Sequence, residues 1–213
     1  MNRLYVLLSL LVLVVHEPAP ADEKRPHVTD IVEIPIKDGI NRFKNLTQDG
    51  HDGIVMGWRD NGNAHGYARY MVLVDMGPKA SAPYFLATVD THDAKRGEGT
   101  GELDTIRNDP HTGEDMVSTV KFVHAKVDGA PATILVIATR DLSNTHSIGD
   151  ETPVDVEFYR MVHKDGDIVG WPPYYFDLMW RQRLKGTNDN AECALAKEFG
   201  LKLIGGWNQL CGH

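Results

Sequence analysis

The chain predicts a mainly β protein: an antiparallel β-sandwich with short terminal α-helices. Three observations carry this. Apolar residues alternate with polar ones with a period of two along most of the chain, the mark of strands with one wet face. Turn dipeptides stand between such runs at Asp60-Asn61-Gly62-Asn63, Asp128-Gly129 and Asp165-Gly166. Only one segment has strong helix chemistry. Three hairpin turns favour antiparallel over parallel pairing, because parallel strands need long crossovers.

The elements follow in order. Val32, Ile34 and Ile36 alternate with Glu33, Pro35 and Lys37, and Pro35, lacking an N–H, assigns this strand to a sheet edge. A short helix is expected around Ile40 to Leu46. Gly53 to Trp58 and Tyr67 to Val74 form a strand pair around the Asp60–Asn63 turn. Tyr84 to Val89 is a further strand. Gly97 to Glu114, rich in glycine and charge, reads as a long exposed loop with a short strand around Leu103 to Ile106. Val117 to Val127 and Thr133 to Thr139 flank Asp128-Gly129. The alternating run from Val154 to His163 turns at Asp165-Gly166 into Ile168-Val169, and Tyr174 to Trp180 follows. Asn190 caps a helix in which Ala191, Leu195, Ala196 and Phe199 recur at helical spacing, and Gly200 stops it.

No linker divides the chain. Residues 1–21 have the layout of a secretory signal: Arg3, an apolar run from Leu4 to Val15, then Ala19-Pro20-Ala21. That run is shorter than the roughly 20 residues that span a bilayer. Residues 22–213 are then a single exported domain, periplasmic or secreted, with no membrane insertion after cleavage. Asp22 to Val28 is a polar lead-in. The formal net charge of −8 disfavours nucleic acid as a partner and is compatible with a cationic one. Cys193 and Cys211, in an oxidising compartment, are expected to form one disulfide, worth roughly 3 kcal/mol by loop closure.

Ser118-Thr119-Val120-Lys121 matches the S-x-x-K nucleophile motif. That motif needs helical spacing, and in a strand Ser118 and Lys121 would face opposite sides. No G-x-S-x-G, H-x-H-x-D or H-E-x-x-H pattern occurs, so the chain is expected not to be an enzyme. The ten histidines are scattered, and His51, His92 and His163 read as surface residues. The densest polar cluster runs from Arg59 to Gly66. There Asp60, Asn61 and Asn63 are hard oxygen ligands suited to a calcium-like cation, and Asn63 and His65 are candidate ligand contacts, against the plain reading of an Asn-Gly hairpin. Asp90-Thr91-His92-Asp93 is a second oxygen-rich patch that reads as a turn. Trp171 and Tyr174, in the run Trp171-Pro172-Pro173-Tyr174-Tyr175-Phe176, are candidate binding aromatics or the start of a core strand.

Asn41-Arg42-Phe43-Lys44-Asn45-Leu46, the Asp-Gly loop after it, and Trp58-Arg59-Asp60-Asn61-Gly62-Asn63-Ala64-His65-Gly66-Tyr67 resemble the carbapenem intrinsic-resistance (CarG-like) family of exported proteins. The resemblance implies a β-sandwich, a homodimer, a cation site and protection of the cell from a carbapenem in the periplasm. It also implies structural similarity to periplasmic inhibitors of invertebrate-type lysozyme, which use a Ser-Gly-x-x-Tyr-type loop; this chain has no Ser-Gly dipeptide. The expected function is non-enzymatic tolerance to a carbapenem, by binding the β-lactam or a cell-wall-related protein partner. The alternative is inhibition of a lysozyme.

Overall fold

The computed structural model describes residues 25–59, 67–90, 102–108, 111–112, 115–147, 149–164, 172–188, 190–201 and 211. The strands are β1 (Val28–Ile34), β2 (Gly39–Phe43), β3 (Asp52–Arg59), β4 (Ala68–Asp75), β5 (Tyr84–Asp90), β6 (Glu102–Leu103), β7 (Ile106–Asn108), β8 (His111–Thr112), β9 (Asp115–Met116), β10 (Ser118–Val127), β11 (Ala130–Arg140), β12 (Thr152–His163) and β13 (Tyr174–Asn188). One helix, α1 (Ala191–Phe199), follows.

The fold is mainly β, but the two separate sheets of a sandwich are replaced by one curled sheet in the order β1-β10-β11-β12-β13-β5-β4-β3-β2, with β6 and β7 attached to β5 and β4. The reason lies at one seam. β13 pairs with β5 in parallel, through Tyr175 with Thr88 and Phe176 with Val89, and this joins the two halves into a mixed sheet. The other described pairings are antiparallel. β1 and β2 end the path, yet only residues 35–38 connect them in the chain. So short a link reaches less than about 20 Å, and the sheet must curl into a half-barrel to bring its edges together.

Local chemistry explains the elements. Asp128 and Gly129 both have positive φ (50° and 85°), which a two-residue hairpin turn needs to match strand twist, and the β10–β11 register runs without a break from Ser118–Thr139 to Val127–Ala130. β1 stops before Pro35 and lies at the sheet edge, as expected. Ile34 is buried, but Val32 is 62% exposed and pairs with His124, after a register shift between Thr29 and Val32.

The helix expected at Ile40 to Leu46 is instead β2 followed by a turn. Ile40 and Arg42 are exposed while Asn41 and Phe43 are half-buried, a period of two. The Asn41 side-chain amide donates to Lys37 O and Val55 O, and Asn45 turns the chain at φ 50°. The segment expected as an exposed loop is partly built into the sheet. β6 pairs with β5, and β7 pairs with β4 and buries Ile106. The turns expected at 60–63 and 165–166 and the strand at 168–169 lie outside the described residues.

Two cores result. Inside the curl, Leu46, Val72, Val74, Leu135 and Met161 pack around Phe122, which meets Tyr70 and Phe176 edge-on. Outside it, α1 covers β10 to β13 with Ala194 and Leu195. Phe158 stacks on Trp180 at 3.9 Å and meets Phe199 edge-on. Asn190 Oδ1 accepts from the N–H groups of Glu192 and Cys193, Gly200 returns its N–H to Ala196 O, and Cys193 is joined to Cys211. A nine-residue helix is marginal alone and depends on this packing.

It also depends on charge. Lys121, on β10, donates to Glu192 Oε1 at the start of α1, and its Nζ lies 3.4 Å from Glu33 Oε1 on β1, all three side chains being buried. Lys121 therefore lies on the outer face, while Ser118 donates to Asn108 Oδ1 three positions earlier, so the S-x-x-K pair is split across the sheet. Replacing Lys121 with methionine leaves two buried carboxylates without their ammonium and is expected to cost about 3–5 kcal/mol in urea unfolding. Gly53→Ala is expected to cost about 1–3 kcal/mol, because the added Cβ would lie 2.1 Å from Leu46 Cδ2. The same measurement with Leu46→Ala in addition should show the two costs failing to add.

Candidate functional site

A constellation of polar side chains that opens onto a cleft is built from the loop after β2 and the adjoining ends of β12 and β13. The loop is held by its own polar groups. Leu46 is a fully buried plug, and its carbonyl accepts from Thr133 Oγ1 at 2.6 Å. Thr47 N–H donates to His51 O, Gly50 N–H to Thr47 O, and His51 N–H to Thr47 Oγ1. Thr47 Oγ1 donates in turn to Asp49 Oδ1. At its base Lys44 pairs with Asp52.

This places Asp49 over the first residue of β13. Tyr174 Oη donates to Asp49 Oδ2 at 2.7 Å. His163, the last residue of β12, pairs with Tyr174 across the strands and stacks on its ring, 4.6 Å between centroids and 12° from parallel. Such cross-strand pairs are the natural contact of antiparallel neighbours. His163 Nδ1 is 3.3 Å and His51 Nε2 is 3.8 Å from the same Asp49 oxygen, and His51 meets Tyr174 edge-on. Beside them Arg160 Nη2 donates to Gln48 Oε1 at 2.9 Å. Thr47 to Asp49, Arg160 to His163 and Tyr174 line a cleft of about 480 Å³. A second, of about 510 Å³, lies on the other side of the loop and includes Lys44, His124 and Thr133.

Burial opposes ionisation of Asp49. The hydroxyl hydrogen bonds from Thr47 and Tyr174, a backbone N–H and the neighbouring His51 outweigh it, and the carboxyl is held below its ordinary value of 3.8. Burial lowers the pKa of His124 in the adjoining cleft below 6.5. The arrangement offers a carboxylate, the His163 imidazole and a guanidinium around one concavity, with the His51 imidazole beside the carboxylate. It suits recognition of a small polar ligand. Among the described residues no group of three His, Cys, Asp or Glu side chains is arranged to hold a metal ion.

Of the residues singled out in the sequence, Tyr174 falls in this site, and Cys193 and Cys211 are joined far from it in sequence, at α1 and the tail. Asp60, Asn61, Asn63, His65 and Trp171 lie outside the described residues. The calcium-like cation expected at Asp60, Asn61 and Asn63 therefore has no described counterpart. Sequence reasoning missed Asp49 and Arg160 and set His51 and His163 aside as surface residues. His51 is half-buried and His163 exposed; what marks them is convergence on Asp49 from positions 112 apart in the chain. No local spacing carries that signal.

Tyr174→Phe is expected to lower stability at neutral pH by about 1 kcal/mol, since an ionised acceptor loses its donor. Asp49 stabilises the fold where it is ionised and unprotonated in both states, above its ordinary value, and that contribution is lost as pH falls through the lower folded value. Stability measured against pH should therefore show Asp49→Asn falling below the natural protein at neutral pH, with the difference shrinking below pH 3.8.

No family model matches this chain, and no curated protein matches it. Among solved structures it is similar to the one described as "Crystal structure of CarG", at 17% identity and a TM-score of 0.58, over 78% of this chain and 94% of that one. At that identity the likeness is one of architecture, and this chain has the fold of CarG.

Proposed function

We propose that this chain is an exported, non-enzymatic protein that gives the cell tolerance to a carbapenem, by binding the drug or shielding its target. The observation that carries the reading is the fold, shared with CarG over nearly the whole of that protein. The resemblance of residues 41–67 to the carbapenem intrinsic-resistance family supports it independently of the fold. The signal-like layout of residues 1–21 supports action outside the cytoplasm.

The site supports binding over turnover. The hydroxyls of Thr47 and Tyr174 are both engaged with Asp49, and Ser118 is held by Asn108 on the inner face, away from the ammonium of Lys121. The net charge of −8 favours a second reading, inhibition of a cationic lysozyme.

The test is carbapenem susceptibility of a sensitive Gram-negative host making either the full chain or one lacking residues 1–21. Protection from the exported form alone is the expected outcome. Hydrolysis of the drug by purified protein would overturn the non-enzymatic reading. Absence of protection from both folded forms, together with loss of lysozyme activity in the presence of the protein, would replace tolerance with inhibition.

A further inference from the structure

Arg160 is the unusual member of the cleft. A half-buried guanidinium normally takes a carboxylate as its partner, because charge-assisted fork pairs repay its desolvation. Here the partner is the neutral amide oxygen of Gln48, at 2.9 Å, and the Arg160 Nε is buried with no acceptor. Asp177 stands opposite Arg160 in the β12–β13 register, yet the two form no ion pair among the described residues. The one carboxylate in the cleft, Asp49, is turned the other way, to Tyr174, His51 and His163. Nearby Lys44 is taken by Asp52, and Lys164 lies over the Tyr175 ring. The guanidinium thus sits at a concavity of about 480 Å³ with a neutral side chain in the place an anion would occupy.

We propose that this cleft binds a small molecule through its carboxylate, with Arg160 as the anchor and Gln48 as the group the ligand displaces. Gln48 belongs to the loop after β2, and its amide can rotate away without disturbing the Leu46 plug or the Thr47–Asp49 bond. The bound carboxylate takes the guanidinium in the fork geometry that one amide oxygen cannot supply. The ring of Tyr174 is closed off by burial, so the rest of the ligand lies against His163, Val162 and the loop. The inference deepens the reading of drug binding, since carbapenems carry a free carboxylate, but it rests on the cleft alone. A cell-wall peptide ending in a free carboxylate shares the chemistry.

Calorimetry with the full mature protein separates these. Meropenem and the dipeptide D-alanyl-D-alanine are the two probes, titrated into the natural protein, Arg160→Gln and Gln48→Glu. The second variant gives Arg160 an internal carboxylate, so it should fold at least as well as the natural protein and still lose the ligand. Binding of either probe, weakened at least about 10-fold in both variants, is the expected result, about the loss of one charge-assisted pair. Dipeptide binding without meropenem binding upholds the cleft while removing drug capture from the proposed function. Binding of neither probe to the natural protein, or binding that both folded variants keep, overturns the inference.

Discussion

The ammonium of Lys121 is the constraint on which the architecture turns. It lies buried between Val120 and Phe122 of β10, and its two carboxylates come from the two elements that complete the outer layer: Glu33 from the edge strand β1 and Glu192 from the first turn of α1. A buried ion pair adds little net stability, because desolvation consumes most of the attraction. What it supplies is register. Glu33 reaches Lys121 only when Ile34 pairs with Phe122, which is also what puts Ile34 into the inner core. Glu192 near the N-terminus of α1 is favoured by the helix dipole as well, so one charge fixes both where the helix begins and how it lies on the sheet.

The cleft depends on the same curl from the opposite end. β2 leaves the sheet edge at Phe43, and the loop after it drops Leu46 into the inner core beside Gly53, where no side chain larger than hydrogen fits. That plug sets the height of Thr47 to His51 above the ends of β12 and β13. Asp49 meets Tyr174 because a buried leucine three residues earlier is in place, and Thr133 of β11 grips the carbonyl of that leucine. Packing therefore precedes polar geometry here: the hydrogen bonds select one arrangement of a loop whose position hydrophobic burial has already decided.

How much of this was legible depends on whether the cause was local. The Asp128-Gly129 hairpin, the Asn190 cap and the Gly200 stop all follow from backbone preferences of one or two residues, and each is found where the sequence places it. The edge position of β1 follows from a single proline. The parallel seam between β13 and β5 was not legible, since Tyr174 to Trp180 and Tyr84 to Val89 read as strands without naming their neighbours, and that seam is what turns an expected sandwich into a half-barrel. Ile40 to Leu46 misled because its apolar residues suit a helix turn as well as a strand edge. The cleft was legible only at Tyr174. Asp49, His51, Arg160 and His163 acquire meaning from a contact between a loop and two strand ends more than a hundred residues away.

The electrostatics of the cleft bear on what kind of protein this is. A general base works best with a pKa near the ambient pH, and a buried carboxylate is commonly raised toward it. Asp49 goes the other way: against its partial burial, hydrogen bonds from the Thr47 and Tyr174 hydroxyls and a backbone N–H, with the neighbouring His51, hold its carboxyl below its ordinary value. An imidazole beside such a carboxylate is oriented by it, and the ring face of His163 is also committed to Tyr174, whose hydroxyl donates to the same Asp49 oxygen. The groups are thus arranged to keep fixed charges in fixed places. Such an arrangement around a concavity is a setting in which a small polar ligand can be recognised, and it exists because the buried Leu46 holds the loop against the ends of β12 and β13.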